Sequence, residues 1–517
     1  MTFVSLRFFL FFPLVILLYF LTPKKTRWIT LLISSLVFYF LSSWQSSIYL
    51  VSSILTTYLA SLLLEKTTKD SKQTKIIASK FIREKRIIVF LYILINFGLL
   101  LVFKYNQMTV NLINILSPLT NIKLSVPNLL LPLGISFYTF QATGYVIDVY
   151  RDKIKAERNF FKLALFISFF PQIIQGPINS FNKLQHQLIT PNSFHWNNLR
   201  SGIQLMIFGY FKKLVIADRI APLVNHVFDL NNGEEGFVVL IGVFAYSIQV
   251  YTDFSGGIDI CRGLTEIIGI NMEENFRRPF FARSISEFWQ RWHITLGSWM
   301  REYVFYPLAL SNRFTSLRKL LRKKGYRQAS KVIPTALASM IVFILVGMWH
   351  GSSFKFIAFG IYHGVIIMSS TLLENRYKKI SSRLQIKTNV FSYRLFQIIR
   401  TNILCTIGRY FSRSGSFLSA IELYKRTLSR YNPWIFFDGT IYKIGISEKD
   451  FRLLFVALLA LLIIGILQEK GYKLRETISK QNITFQWTIT LGSIFFIIIF
   501  GAYGPSFDAV DFIYQGF

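Results

Sequence analysis

Apolar residues in this chain come in runs about as long as a bilayer is thick, and the runs are separated by connections rich in Lys and Arg. A helix of about 20 apolar residues satisfies its own backbone polar groups inside hydrocarbon, where no water can. The fold class this predicts is all-α, in a polytopic integral membrane protein, and a composition of 52% hydrophobic residues with 52 Phe agrees. A formal net charge of +32 at pH 7 could suggest a nucleic-acid partner, but the cations sit in the connections rather than in one basic domain. Positive-inside placement, with contact to anionic lipid or to an anionic cytosolic ligand, explains them; nucleic acid is not expected. Cys261 and Cys405 are the only cysteines, so no disulfide framework is implied and each reads as a packed thiol.

Spans are predicted over residues 3–21, 28–44, 46–64 and 87–103. The first lacks a small-residue cleavage pattern and is followed at once by Pro23-Lys24-Lys25, so it is read as an uncleaved span. Lys24, Lys25 and Arg27 follow it, the next turn is neutral, and a long basic loop containing Lys66, Lys75 and Lys85 follows the third span. The charge alternation predicts an extracytoplasmic N-terminus, with the basic loops inside the cell. The next span is 129–150. Residues 161–178 are apolar but interrupted at Pro171 and at Gln175-Gly176-Pro177, which reads either as a re-entrant or tunnel-lining segment or as an ordinary proline kink.

Residues 202–224 carry Lys212, Lys213, Asp218 and Arg219 and are predicted to be partly interfacial. Residues 237–251 lead into Asp253-Phe254-Ser255-Gly256-Gly257-Ile258-Asp259. The paired glycines predict a break, with Asp253 and Asp259 capping helices or orienting a histidine. Further spans at 335–348, 354–373, 398–411, 451–467 and 487–500 bring the total to about eleven, plus broken segments. The whole chain, 1–517, reads as a single domain in the cell membrane.

Two of the six histidines stand beside tryptophans in the stretch 284–351. Ser284 with Glu287 three residues on is a capping-box signature. A helix from Ile285 would put Trp289, Trp292, Leu296, Trp299, Met300 and Tyr303 on one face, with His293 at its edge. Burial there favours the neutral ring that a general base needs; the alternative is a histidine that only hydrogen-bonds within a helix contact. Pro334 suits a first helical turn, the residues from Thr335 to Met348 carry no charge, and His350 follows near the end of that span. A histidine at membrane depth points to function, or else to an interfacial ring beside Trp349. We read His293 and His350 as a catalytic pair. No metal is expected, because neither local ligand spacing nor an acidic or cysteine cluster accompanies them.

Arg277 and Arg278, with Arg291 further on, are candidate substrate-binding residues, since guanidinium pairs with phosphate in a fork; contact with lipid headgroups explains them equally. No Gly-rich phosphate loop is present.

These motifs occur in a recognisable order. Leu131-Pro132-Leu133-Gly134-Ile135-Ser136-Phe137-Tyr138, Phe169-Phe170-Pro171-Gln172-Ile173-Ile174-Gln175-Gly176-Pro177-Ile178, Asp253-Phe254-Ser255-Gly256, Arg291-Trp292-His293, Trp349-His350-Gly351 and the closing Phe512-Ile513-Tyr514 together resemble the membrane-bound O-acyltransferase (MBOAT) family. Within it they look like the bacterial branch of alginate O-acetylase-like and D-alanyl-lipoteichoic-acid transferase proteins.

The resemblance implies a helical ring around a tunnel joining the cytoplasm to the outer face, with His350 as the catalytic histidine, His293 as the second and His363 as a weaker, structural position. It further implies an acyl donor, acetyl-CoA or another thioester on a carrier, used as substrate with no tightly bound cofactor. The lipid bilayer, an extracytoplasmic SGNH-type transferase and a glycopolymer acceptor are the partners it implies. D-alanyl transfer to teichoic acid is the nearest alternative. A polysaccharide or lipid transporter and a recruiting scaffold are readings of other classes; the absence of repeated halves and of an intramembrane acidic relay argues against transport.

Overall fold

The computed structural model describes the chain except for residues 1, 43, 74–77, 116–123, 126–130, 174, 504–511 and 514–517. Lys75, Ile174, Tyr514 and the first residues of the predicted 129–150 span lie outside the described residues. Among those described there is no β-strand, only one isolated bridge between Phe276 and Trp292. Among the described residues seven helical segments are long and apolar enough to cross a membrane: Ser47–Asp70, Ser79–Asn106, Phe237–Ile267, Arg327–His350, Phe354–Arg383, Glu448–Glu469 and Ile483–Phe500. The protein is a multi-pass membrane protein. In place of the predicted spans 28–44 and 129–150 the described residues form the 16-residue helices Arg27–Ser42 and Ile135–Tyr150, too short to be included in these seven.

Two compact units are distinguished, Met1–Phe208 with Gly257–Glu273 and Asp511–Phe517, and Gly209–Gly256 with Glu274–Val510. The first contains α1 (Leu6–Leu21), α2 (Arg27–Ser42), α3 (Ser47–Gln73), α4 (Ala78–Ile115), α5 (Ile135–Tyr150), α6 (Phe160–Ser168) and α7 (Phe181–Ile189). The predicted interruption after residue 161 is real. α6 stops at Ser168, a single helical turn at Phe170–Ile173 follows, and among the described residues the next helix is α7. The freed Phe166 carbonyl accepts from the side-chain amides of Gln141 at 2.9 Å and Gln172 at 2.8 Å, while Asn179 donates to Gln172. Buried amides thus stand in for the missing helical donors. Gly134 enters α5 at φ +68, and a Cβ there would lie 2.0 Å from the Ile173 carbonyl oxygen, so only glycine fits this approach.

In the second unit, Phe211–Ala217 forms a π-helical stretch leading into α8 (Asp218–Phe228). Its extra width leaves the Leu214 carbonyl to accept from the Ala502 N–H at 2.8 Å. Lys212 and Lys213 are buried in protein, Lys213 between Asp218 at 2.9 Å and Asp253 at 2.7 Å, and Lys212 donates to Ser255 at 2.9 Å. The break expected at Gly256-Gly257 is absent, since α9 (Phe237–Ile267) runs through both glycines. Asp253 and Asp259 therefore lie inside a helix and cap nothing. Asp253 is the counter-ion of Lys213, and Asp259 faces Arg262 at 3.7 Å one turn on.

Further helices of this unit are α10 (Ile285–Arg291), α11 (Ile294–Met300), α12 (Asn312–Lys323), α13 (Arg327–His350), α14 (Phe354–Arg383), α15 (Phe391–Arg413), α16 (Phe417–Ser429), α17 (Glu448–Glu469) and α18 (Ile483–Phe500). Pro334 is not at a helix start, because α13 begins at Arg327 and carries the proline inside it.

Candidate functional site

The start of α10 is capped as its sequence predicts. The Glu287 N–H donates to Ser284 Oγ at 3.1 Å, while the Glu287 carboxylate accepts from the Arg283 N–H at 2.8 Å rather than from the cap residue itself. The single helix expected to run on through His293 does not form. α10 ends at Arg291, and His293 takes a left-handed conformation at φ 46, ψ 54 before α11 begins at Ile294. The cause is non-local. The Arg291 carbonyl accepts from the Arg277 N–H at 2.9 Å, the Ile294 N–H donates to the Asn275 carbonyl at 3.0 Å, and the Thr295 N–H donates to Asn275 Oδ1 at 3.0 Å. Three backbone groups that a continuous helix would use internally are taken by one neighbouring segment, and the chain turns at His293.

That turn buries the imidazole to 2% exposure. Its ring meets Phe254 of α9 at 4.9 Å and Trp349 of α13 at 5.5 Å, both edge to face, and Nδ1 lies 3.2 Å from Asn275 Oδ1. Burial pushes its pKa down to about 3, so the ring is neutral at physiological pH.

His350 closes α13. It is 8% exposed and packed by Trp349 at 4.9 Å and by Phe359 and Phe356 of α14 at 5.7 and 6.5 Å. α14 comes this near because a Cβ on Gly347 would lie 2.3 Å from the Phe356 carbonyl oxygen; the glycine makes room for a helix. Trp349 thus touches both predicted histidines.

The cluster extends further than the sequence pair. His363, on α14, is buried against Phe359 at 4.7 Å and Trp289 at 5.1 Å, and among the described residues its Nδ1 has no hydrogen-bond partner. Arg409 on α15, 5% exposed, lays its guanidinium over the Trp292 ring at 4.7 Å. The available signal for Arg409 was a charge inside the predicted span 398–411, which also holds Arg400. Asn275 gave no signal in sequence.

The three arginine candidates lie close in sequence to this turn. Arg277 donates to Glu274 at 3.0 Å and is the most exposed. Arg278 donates to Glu469, at the end of α17, at 2.7 Å, and Arg291 grips the same carboxylate at 2.9 and 3.0 Å while also pairing with Glu287 at 2.7 Å. The fork suited to a phosphate here holds a carboxylate of the chain itself. Burial opposes the charge of Arg291, but Glu469 and Glu287 outweigh it and raise its pKa. Cys261 is buried and donates to the Pro171 carbonyl at 2.7 Å, and Cys405 is buried on α15.

A buried imidazole with aromatic walls, when neutral, can take a proton from a hydroxyl and return it, the chemistry of acyl transfer to oxygen. Residues 153–322 match the family model described as MBOAT, membrane-bound O-acyltransferase family. The chain is 30% identical over 461 residues to the probable alginate O-acetylase AlgI of Azotobacter vinelandii, covering 89% of this chain and 84% of that protein. It is 30% identical to the peptidoglycan O-acetyltransferase of Helicobacter pylori over 65% of this chain and 63% of that one. Identity to the teichoic acid D-alanyltransferase of Bacillus subtilis is 30% over 49% and 62% of the two chains.

Proposed function

Because the chain belongs to the membrane-bound O-acyltransferase family and is an acyltransferase, we propose that it moves an acetyl group from cytosolic acetyl-CoA toward hydroxyls of an extracellular glycopolymer. The observation that carries this is the shared contact of His293 and His350 with Trp349, which brings two sequence-distant histidines into one buried aromatic cluster. Coenzyme A is polyanionic and does not cross a bilayer, whereas a hydroxyl outside the cell has no thioester to react with. A tunnel with a histidine at membrane depth lets the two substrates meet.

In this reading His350 takes the proton of the attacking hydroxyl, worth on the order of 10² to 10⁴ in rate. The new C–O bond forms at the thioester carbonyl, the C–S bond breaks, and the proton passes to the departing thiolate. His293 orients His350 or steadies the oxyanion. Of the three arginines, the exposed Arg277 is the one assigned to the donor's phosphates, and Arg278 and Arg291 would join it only on releasing Glu469. An extracytoplasmic SGNH-type transferase completes delivery to the polymer, and the N-terminus lies outside the cytoplasm. A buried Cys261 whose thiol is already donating supports transfer without a cysteine acyl-enzyme.

The test is the ester-linked acyl content of surface glycopolymers, by mass, in cells carrying wild type, His350→Ala or His293→Ala at matched membrane abundance. Loss of acetate in both variants is the expected result. Loss of D-alanine keeps the mechanism and changes the donor. Unchanged acylation in both rejects the histidine pair, and loss of the polymer itself from the surface favours transport.

A further inference from the structure

The two ring nitrogens of His293 are not equivalent, and its surroundings say which carries the proton. Asn275 is fully buried, and its Oδ1 lies 3.0 Å from the Thr295 backbone nitrogen, 2.8 Å from Thr295 Oγ1 and 3.2 Å from His293 Nδ1. A backbone N–H only donates, so the Asn275 atom facing it is the carbonyl oxygen; turning the carboxamide over would set NH₂ against N–H. That oxygen only accepts, so the imidazole nitrogen facing it is the protonated one. In a neutral ring with Nδ1–H, Nε2 holds the basic lone pair. The Asn275 NH₂ has no partner among the described residues, so the side chain is held through its oxygen alone.

We infer that Asn275 is a positioning residue for the acyl transfer proposed above, fixing His293 as the Nδ1–H tautomer and so making Nε2 an acceptor, which suits it to orient His350 and not to donate to the oxyanion. The inference rests on that functional reading for its catalytic half and on geometry for its tautomer half. The same segment makes the turn and sets the proton: the Asn275 carbonyl binds the Ile294 N–H while its side chain binds the ring and Thr295. Without the acceptor oxygen the ring exchanges between tautomers, and only part of the population presents the right nitrogen.

Solid-state ¹⁵N NMR of histidine-labelled protein in lipid reads this directly, with the His293 resonances identified as those lost in His293→Asn. The expected wild-type spectrum shows a protonated Nδ1 and an unprotonated Nε2. Asn275→Ala should mix the tautomers and lower acyl transfer roughly several-fold, in step with the fraction of rings that lose the Nδ1 proton. Asn275→Asp, which keeps an oxygen in place, should restore the tautomer and most of the transfer. An Nε2–H tautomer in the wild type overturns the assignment, and because it is read on the unaltered protein it does not depend on whether a variant folds. Unchanged tautomer and transfer in Asn275→Ala overturn it as well. Wild-type acylation in His293→Asn would defeat the functional reading and the catalytic half of the inference, and would leave the tautomer result to stand by itself.

Discussion

Phe254 meets His293 edge to face at 4.9 Å, and both of its chain neighbours are tied to lysines of the π-helical stretch, Asp253 to Lys213 and Ser255 to Lys212. The ring that walls the histidine is therefore held by a buried polar lock. Lys213→Met removes the cation between two carboxylates that have little access to water. Breaking a buried pair from one side costs about 3–5 kcal/mol. A clearly lower melting temperature in detergent is expected, and Asp253→Asn added to Lys213→Met should recover part of it.

The depressed pKa of His293 has a consequence for acid stability. The unfolded ring titrates near about 6.5, the folded one at about 3, so between these values the unfolded chain binds more protons. Stability from this group is fully present above the unfolded pKa and is lost as pH falls toward the folded one. Melting temperature should be flat from about pH 7 to 8 and fall on acidification below about 6. In His293→Gln that acid slope should be shallower; an identical slope would show that other groups cause it.

Gly347→Ala places a methyl 2.3 Å from the Phe356 carbonyl oxygen, between α13 and α14. Overpacking of this kind costs about 1–3 kcal/mol, and the displaced helix end carries His350. Lower thermal stability together with reduced acyl transfer is expected. Gly492→Ala in α18, where a Cβ meets nothing within 4 Å, is the matched control and should leave both unchanged.

His363→Leu tests whether the third histidine is packing or chemistry. Its ring is surrounded by Phe359, Trp289 and Tyr362, and an aliphatic side chain fills similar space without a polar nitrogen. Acyl transfer should persist in this variant under conditions where His350→Ala abolishes it. Loss of transfer with an unchanged melting temperature would move His363 into the reaction.

The membrane class, many of the long helices, the Ser284 cap and the interruption after residue 161 were legible because each depends on residues close together in the chain. The turn at His293 was not, since residues 275–277 decide it by capturing backbone groups across a gap that local periodicity cannot register. Gly256-Gly257 misled for the opposite reason. Intrinsic propensity argues for a break, but tertiary packing around Asp253 and Ser255 keeps α9 helical. The burial of Lys213 was not legible, because one of the two carboxylates that make it tolerable is 40 residues away.

The left-handed backbone at His293 has a bearing on how any loss of function there is interpreted. Alanine at this position removes the imidazole and also asks a β-carbon without a compensating side-chain hydrogen bond to hold φ 46, at a cost of about 1 kcal/mol or more. Asparagine is at ease in that conformation yet carries no titratable nitrogen. The pair Ala and Asn at 293 thus separates the geometry of the peptide from the chemistry of the ring: an inactive alanine variant beside an active asparagine one would assign the defect to the turn, and two equally inactive variants would assign it to the imidazole.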